Sequence, residues 1–164
     1  MAHFLPDDKS EAKYENKQCL VNAYDNTIRF TDRFLYELSS LLSSSSSYAA
    51  WLYTSDHGEN IYDDNRKKFL HASPNPSDYE LRVPLLAWTS SSYRSAYPDI
   101  VTALRINSTK QTSNSISFFH TMIEKGGVKT KNHDLTKTLS DRDYKVQPRL
   151  YLSDHNEAIA NHIE

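Results

Sequence analysis

The sequence lacks three features that would each place it in a broad class. Its 164 residues include one cysteine, Cys19; no internal disulfide can form, and we interpret Cys19 as a small buried side chain. No run approaches the roughly 20 apolar residues that a membrane span needs, and the N-terminus lacks the basic and apolar regions of a signal peptide. The 19 basic and 21 acidic residues include no basic block, so nucleic acid is a poor candidate partner. Taken alone, the chain is expected to be one soluble domain with no signal or membrane segment.

The pattern of apolar residues in the sequence predicts helices around buried strands. Apolar and weakly polar residues recur at steps of three and four from Leu20 to Leu42, which predicts a long amphipathic helix. The serine run 43–47 predicts the loop that ends this helix. Residues 48–54 and 82–90 are almost continuously apolar, which predicts two neighbouring strands buried on both faces.

The second half of the sequence adds further helices. One is predicted after Pro98, and another after Ser113 that stops at the pair Gly126 and Gly127. The order helix, strand, strand, helix predicts an α/β domain with a central sheet flanked by helices.

An Asp-His pair follows the first predicted strand directly. Ligands collect beyond the carboxyl ends of strands in open α/β sheets, and Asp56 and His57 lie at that end. Neighbouring side chains on a regular strand point to opposite faces, so the two can share an ion only where the chain turns, and Gly58 would permit that turn. A carboxylate and an imidazole form a partial shell for zinc, and also suit manganese.

His71 is the third candidate, reached through the polar excursion 59–70. On spacing alone, a solvated histidine in a charged surface loop explains this stretch better than a metal or phosphate site does. A second Asp-His pair, Asp154 and His155, precedes Glu157 and a short apolar run. We interpret this second pair as a helix capping box before residues 158–163.

Several segments together resemble the phosphoethanolamine transferases, members of the sulfatase-like branch of the alkaline phosphatase superfamily. The segments are "NAYDNTIRFTDRFL" at 22–35, "YTSDHGEN" at 53–60, "FLHASP" at 69–74, "VPLLAWTSSSY" at 83–93 and "RLYLSDHNEA" at 149–158. The resemblance runs over nearly the whole chain, and it implies the C-terminal part of an alkaline phosphatase-like (sulfatase) domain over residues 1–164.

The resemblance implies roles for particular residues. Asp56 and His57 match the family's Asp-His pair, which holds the catalytic zinc with an acidic residue and a nucleophilic threonine from earlier in the chain. His71 matches a histidine that binds the phosphate group or a second zinc. His3 resembles a family histidine with a similar binding role, although Met1 and Ala2 replace the residues that usually precede that histidine.

The family features that would precede this sequence have no counterpart in it. They are the membrane-spanning helices, the first acidic ligand and the threonine, so no catalytic nucleophile is expected within the 164 residues. Three readings stay open: a portion of a zinc-dependent transferase, a sulfate or phosphate ester hydrolase on the same scaffold, or a non-catalytic remnant. The Cys-x-Pro-x-Arg motif of hydrolases is absent, but it too would lie upstream.

The resemblance also implies partners and a location for the complete family. The zinc-activated threonine takes phosphoethanolamine from a phosphatidylethanolamine donor and passes it to lipid A or a related glycolipid acceptor. The full-length proteins sit in the bacterial inner membrane and act on its periplasmic face. A partial sheet would leave an uncovered edge, which also gives the chain an opportunity for self-association.

Overall fold

The computed structural model describes residues 3–7, 11–45, 47–71, 74–152 and 158–160, and it divides into two compact units. The first unit comprises Met1–Leu41 and Asp56–Val83, and the second comprises Leu42–Ser55 and Pro84–Glu164. The fold is mixed α/β, and its strands form three two-stranded antiparallel sheets in the described part of the chain. The first unit holds one of these sheets and the second holds two, and each unit has its own buried residues.

The first unit contains most of the long helix and a short hairpin. Helix α1 spans Lys17–Ser44 and follows a single 3-10 turn at Tyr14–Asn16. Strands β2 (Asn60–Ile61) and β3 (Phe69–Leu70) pair with each other, and helix α2 spans Asp78–Leu81.

The second unit contains the other elements. Its first sheet pairs β1 (Ala50–Thr54) with β4 (Leu85–Thr89), and the rings of Trp51 and Trp88 stack with centroids 6.2 Å apart. The remaining elements follow in chain order: α3 (Ser91–Ala96), α4 (Pro98–Asn107), α5 (Asn114–Lys125), a 3-10 turn (Leu135–Lys137), β5 (Leu150–Leu152) and β6 (Ala158–Ala160). Helix α5 contacts β1.

The helix predictions are confirmed, with one change at the serine run. Helix α1 continues through Ser44, two residues into the run predicted as a loop. The hydroxyl of Ser39 donates to the Leu35 carbonyl at 2.7 Å, and that of Ser40 to the Tyr36 carbonyl at 2.9 Å. A serine hydroxyl can bond the preceding turn in this way, so serine does not end the helix as soon as predicted.

Two of the sequence predictions need correction, one about strands and one about a helix. β1 and β4 are neighbours as predicted, but every residue of β1 is half-buried, and Leu86 of β4 is 43% exposed. The described residues cover these strands incompletely. An apolar sequence shows that a strand can be buried, but it does not show which elements lie against the strand. The helix predicted after the Asp154 capping box is also wrong, because Ala158–Ala160 is a strand paired with Leu150–Leu152. Asp154 and His155 themselves lie outside the described residues.

A lysine with a buried amine lies at the end of α5. The Nζ atom of Lys125 is buried without a hydrogen-bond partner among the described residues, 5.9 Å above the Tyr93 ring centroid. Burial lowers the pKa of Lys125 to about 8, below its usual value of 10.5. The charged amine is therefore destabilising at neutral pH.

Replacing Lys125 with methionine should raise the free energy of unfolding by about 1 kcal/mol at pH 7. Between pH 8 and 10.5 the unfolded wild-type chain binds more protons than the folded one, so wild-type stability rises with pH and the variant's advantage shrinks. Urea titrations across this pH range measure the difference. Lys129→Met, at an exposed lysine, is the control and should change little; an advantage of Lys125→Met that is independent of pH would contradict the explanation.

Candidate metal centre

The segment that follows β1 is held by close backbone packing within the first unit. The Gly58 N–H donates to the Glu80 carbonyl at 2.8 Å. A Cβ atom at Gly58 would lie 2.0 Å from the Tyr79 carbonyl oxygen, so a residue with a side chain does not fit at this position. Gly58 does not adopt a positive φ, so its role is this close approach and not the turn freedom that the sequence suggested.

The hairpin β2–β3 brings His71 back to the Asp-His pair. Asn60 pairs with Leu70 in antiparallel register, so Glu59 and His71 lie next to each other just beyond the last ladder pair. Leu70 has a φ of 65°, a left-handed conformation that is rare for a bulky residue, and it directly precedes His71. The pairing of two residues in each strand therefore brings Glu59 and His71, which are twelve residues apart in the sequence, into contact.

The loop of this hairpin is anchored by a buried asparagine. Asn60 is completely buried; its amide Nδ2 donates to Ser77 Oγ at 3.0 Å and to Asp64 Oδ2 at 3.1 Å, while its Oδ1 accepts from the Asp63 N–H at 3.0 Å. Ser77 in turn donates to Glu80 Oε2 at 2.8 Å in the capping box of α2. The polar excursion 59–70 is therefore held together by hydrogen bonds and is not only a charged surface, because its polar side chains bond to other side chains and to backbone N–H groups.

Three side chains converge at the open end of this hairpin. The ligand atoms of His57, Glu59 and His71 all lie within 4.8 Å of one another, and no other group of this kind occurs in the part of the chain that the structure describes. His71 Nδ1 lies 2.9 and 3.1 Å from the two Glu59 carboxylate oxygens. The rings of His57 and His71 are 3.6 Å apart between centroids. The cluster is partly exposed, so a ligand can reach it from solvent.

The hydrogen bonds favour particular proton positions on the two histidines. His57 Nδ1 lies 3.0 Å from the Gly58 carbonyl, an acceptor, so Nδ1 carries a proton and Nε2 is the ligand atom of the neutral ring. His57 Nε2 lies 3.8 Å from Asp56 Oδ2. The Glu59 carboxylate likewise accepts from His71 Nδ1, which leaves His71 Nε2 to bind a metal or a phosphate oxygen.

Asp56 lies beside this three-residue group and is more exposed than its members, with its side chain 88% accessible. Its own backbone N–H and then the nearby His57 ring lower the pKa of its carboxyl group. A carboxylate that stays ionised and faces solvent next to an imidazole nitrogen can bind a divalent cation at little desolvation cost.

The structure brings together some of the sequence-predicted site residues and adds one. His57 and His71 are in contact, and Asp56 is beside His57. His3 is exposed and is not part of the three-residue group, although its neighbour Phe4 is fixed to α1 by two hydrogen bonds with Asn26, at 2.9 and 3.0 Å. The sequence places Glu59 in a charged loop; the signal that could identify it is its spacing of two residues from His57, because residues two apart share a side of an extended segment.

The donor set fits a borderline metal such as zinc. Imidazole nitrogen and carboxylate oxygen are zinc ligands, and both histidines have their second nitrogen held by an oxygen acceptor, as zinc-binding histidines usually do.

Comparison with known proteins agrees with the architecture around this site. The sulfatase family model matches residues 2–128. The chain belongs to the sulfatase family. Among curated relatives, phosphoethanolamine transferase EptA of Escherichia coli K12 is 30% identical over 128 residues, which are 76% of this chain and 23% of the relative. Phosphatidylethanolamine transferase Mcr-1 of E. coli is 39% identical over 83 residues, covering 48% of this chain and 15% of that protein.

Solved structures share the fold. The C-terminal periplasmic domain of phosphoethanolamine transferase EptC from Campylobacter jejuni superposes with a TM-score of 0.76 at 25% identity, over 88% of this chain and 46% of that domain. The zinc complex of the corresponding E. coli EptC domain superposes with a TM-score of 0.70 at 20% identity, over 96% and 44%. The α/β sulfatase-like fold expected from the sequence is thereby confirmed.

The similarity is partial in length. This sulfatase-family chain spans about a quarter of the length of the first curated relatives that it matches. Within its described residues, no helix combines the length and the apolar character needed to cross a bilayer.

Proposed function

We propose that residues 1–164 form the C-terminal portion of the catalytic domain of a zinc-dependent phosphoethanolamine transferase. The observation that carries the proposal is the convergence of His57, Glu59 and His71 beside Asp56. The names of the relatives support transfer over ester hydrolysis, since those cited are phosphoethanolamine or phosphatidylethanolamine transferases.

In this proposal Asp56 and His57 hold the zinc through a carboxylate oxygen and Nε2. Bound zinc supplies positive charge that stabilises a phosphoryl oxygen. The Gly58 carbonyl fixes the His57 ring by accepting from Nδ1 at 3.0 Å, and the backbone contact of Gly58 with residues 79–80 keeps this carbonyl in place.

His71 is assigned to the phosphate group or to a second zinc. Glu59 holds the proton on Nδ1 and orients the ring, so Nε2 faces outward as a donor when the ring is protonated or as a metal ligand when it is neutral. Two histidine rings 3.6 Å apart repel each other when both are charged. A bound phosphate would offset that repulsion with its negative charge, whereas a bound metal would hold the rings in their neutral form.

The substrates follow from the same assignment. The donor is phosphatidylethanolamine, and the acceptor is lipid A or a related glycolipid on the periplasmic face of the inner membrane. A relative of Salmonella typhimurium is named Kdo(2)-lipid A phosphoethanolamine 7''-transferase and is 32% identical over 80 residues. His3 is proposed as a further phosphate contact.

Calorimetric titration of the purified chain with zinc, and then with phosphoethanolamine, tests these roles. The wild-type chain should bind phosphoethanolamine only after zinc is added. The double variant Asp56→Ala, His57→Ala should lose both ligands, whereas His71→Ala should keep zinc within about tenfold and lose phosphoethanolamine. His120→Ala, a histidine of the second unit, is the control and should bind as wild type.

Two outcomes would contradict the proposal. Phosphoethanolamine binding by His71→Ala at wild-type affinity would remove the phosphate role of His71. Unchanged zinc affinity in the double variant, with an unchanged thermal melt, would place the metal elsewhere.

A further inference from the structure

Residues 133–138 form a strap that lies against helix α5 in the second unit, and the 3-10 turn within this strap contacts the helix. The Asp134 N–H of the strap donates to His120 Nδ1 on α5 at 3.2 Å. Just after the strap, the Leu139 N–H donates to Thr121 Oγ1 at 2.9 Å. The Thr121 contact is buried and does not titrate, whereas His120 is partly accessible to solvent and can take up a proton.

The contact between Asp134 and His120 requires a neutral imidazole ring. A backbone N–H can only donate, so His120 Nδ1 accepts and the ring proton lies on Nε2. A protonated imidazole carries an N–H on both nitrogens, so the charged ring would direct a donor at the donor of Asp134. Protonation of Nδ1 therefore removes this hydrogen bond and sets two N–H groups against each other.

The charged and titratable side chains around His120, among the residues that the structure describes, come from both the strap and α5. Lys137, Asp134 and His133 belong to the strap, and the His133 ring stacks on that of His120 with centroids 6.2 Å apart. Glu124, one turn further along α5, lies 3.4 Å from His133 Nε2. Partial burial, and then the charges of Lys137 and His133, lower the pKa of His120 against the opposing effect of Asp134.

His133 differs from His120 because its hydrogen bonds do not depend on a neutral ring. The Thr138 hydroxyl donates its proton to the Asp134 carbonyl at 3.0 Å, so its oxygen accepts from His133 Nε2, also at 3.0 Å. His133 Nε2 therefore carries a proton already, and a second proton on the ring breaks neither this bond nor the approach to Glu124. Of the two histidines, His120 is the one whose protonation opposes the closed strap.

The Asp134 carboxylate keeps its charge in the range in which histidine titrates. Hydrogen bonds from the Thr136 hydroxyl, at 2.7 Å, and from Lys137 lower the pKa of Asp134 to about 2. A change in the strap between pH 7.5 and pH 5 is therefore not caused by protonation of Asp134.

We propose that His120 is a pH-sensitive contact: its neutral ring holds the strap against α5, and protonation of Nδ1 releases the strap. The pKa of His120 in the closed strap lies below the usual 6.5, so the open strap binds more protons. The closed strap is therefore fully favoured above pH 6.5 and loses stability as the pH falls below that value. This device goes beyond the proposed transfer reaction and is independent of the metal centre.

Hydrogen exchange of single backbone amides, followed by NMR at pH 7.5 and pH 5 and corrected for the intrinsic exchange rate at each pH, tests the proposal. Protection of the Asp134 N–H should fall at least about fivefold at pH 5, as expected for the loss of one hydrogen bond. The Ser117 N–H, which donates to the Ser113 carbonyl at 2.8 Å within α5, is the reference. Its protection should change little, because the helix itself stays folded.

Three variants separate the role of His120 from that of His133. His120→Asn keeps an acceptor oxygen close to the position of Nδ1 and does not titrate, so the Asp134 N–H should be equally protected at both pH values. His120→Leu has no acceptor, so protection should be low at both. His133→Gln is the matched control; it removes the other titrating ring but keeps an N–H donor, and it should retain the pH dependence of the wild type.

Thermal melts at pH 7.5 establish that each variant folds, and His120→Asn with His133→Gln decide the question if His120→Leu does not. Protection of the Asp134 N–H that is independent of pH in the wild type would overturn the proposal. A pH dependence that persists in His120→Asn, or that disappears in His133→Gln, would do the same. Equal loss of protection at Ser117 would show that acid unfolds the helix as a whole, which also contradicts a local release of the strap.

Discussion

Replacing Gly58 with alanine should lower the free energy of unfolding by about 3 kcal/mol, a loss of two powers of ten in the folding equilibrium. The new Cβ atom would lie 2.0 Å from the Tyr79 carbonyl oxygen, which is backbone and cannot rotate away. Relief requires the chain to move apart here, which breaks the hydrogen bond from the Gly58 N–H to the Glu80 carbonyl. The same movement displaces His57 and Glu59 on either side, so zinc affinity should fall as well.

Gly127→Ala is the matched control for this substitution. Gly127 has a φ of 64° and an added Cβ would meet nothing within 4 Å. Its alanine variant should lose only about 1 kcal/mol, from the left-handed backbone, and should keep its zinc affinity. Urea denaturation and zinc titration of both variants measure the two effects. Equal losses in the two variants would show that the clash at Gly58 is relieved cheaply.

The purified chain should release no ethanolamine phosphate from phosphatidylethanolamine, even with excess zinc. The family resemblance assigns the nucleophile to a threonine outside this sequence. One of the two hydroxyls that precede the Asp-His pair is already engaged: Thr54 Oγ1 donates to the Ser55 carbonyl at 3.1 Å and accepts from the Asn114 amide. A hydroxyl becomes a nucleophile only when a base or a metal takes its proton, and zinc on Asp56 and His57 would supply only electrostatic stabilisation.

Head-group release from lipid micelles, followed by mass spectrometry, measures this prediction. The Asp56→Ala, His57→Ala variant serves as the blank for metal-dependent chemistry. Release by the wild-type chain and not by the variant would mean that a nucleophile exists within these 164 residues. Thr54→Val and Ser55→Ala would then identify it.

Local sequence signals were sufficient wherever an element depends on its own residues. The apolar period predicted α1, Pro98 predicted where α4 begins, and Ser113 and Gly126 predicted where α5 begins and ends, because capping and backbone preferences are local. The paired serines at 43 and 44 showed the limit of such signals, since their hydroxyls can serve either a loop or a helix. The strand at 158–160 was missed because its partner, residues 150–152, is defined by pairing and not by composition.

The sequence by itself determined the family, the α/β class and the candidate ligands Asp56, His57 and His71, because these rest on residue types in a fixed order. Only the tertiary structure decided that Glu59 lies close to His57 and His71, since that depends on the hairpin register that sets Asn60 opposite Leu70. It also decided why residue 58 is glycine, through the backbone of residues 79 and 80. Contacts between distant segments depend on where the chain returns, and neither periodicity nor spacing records that.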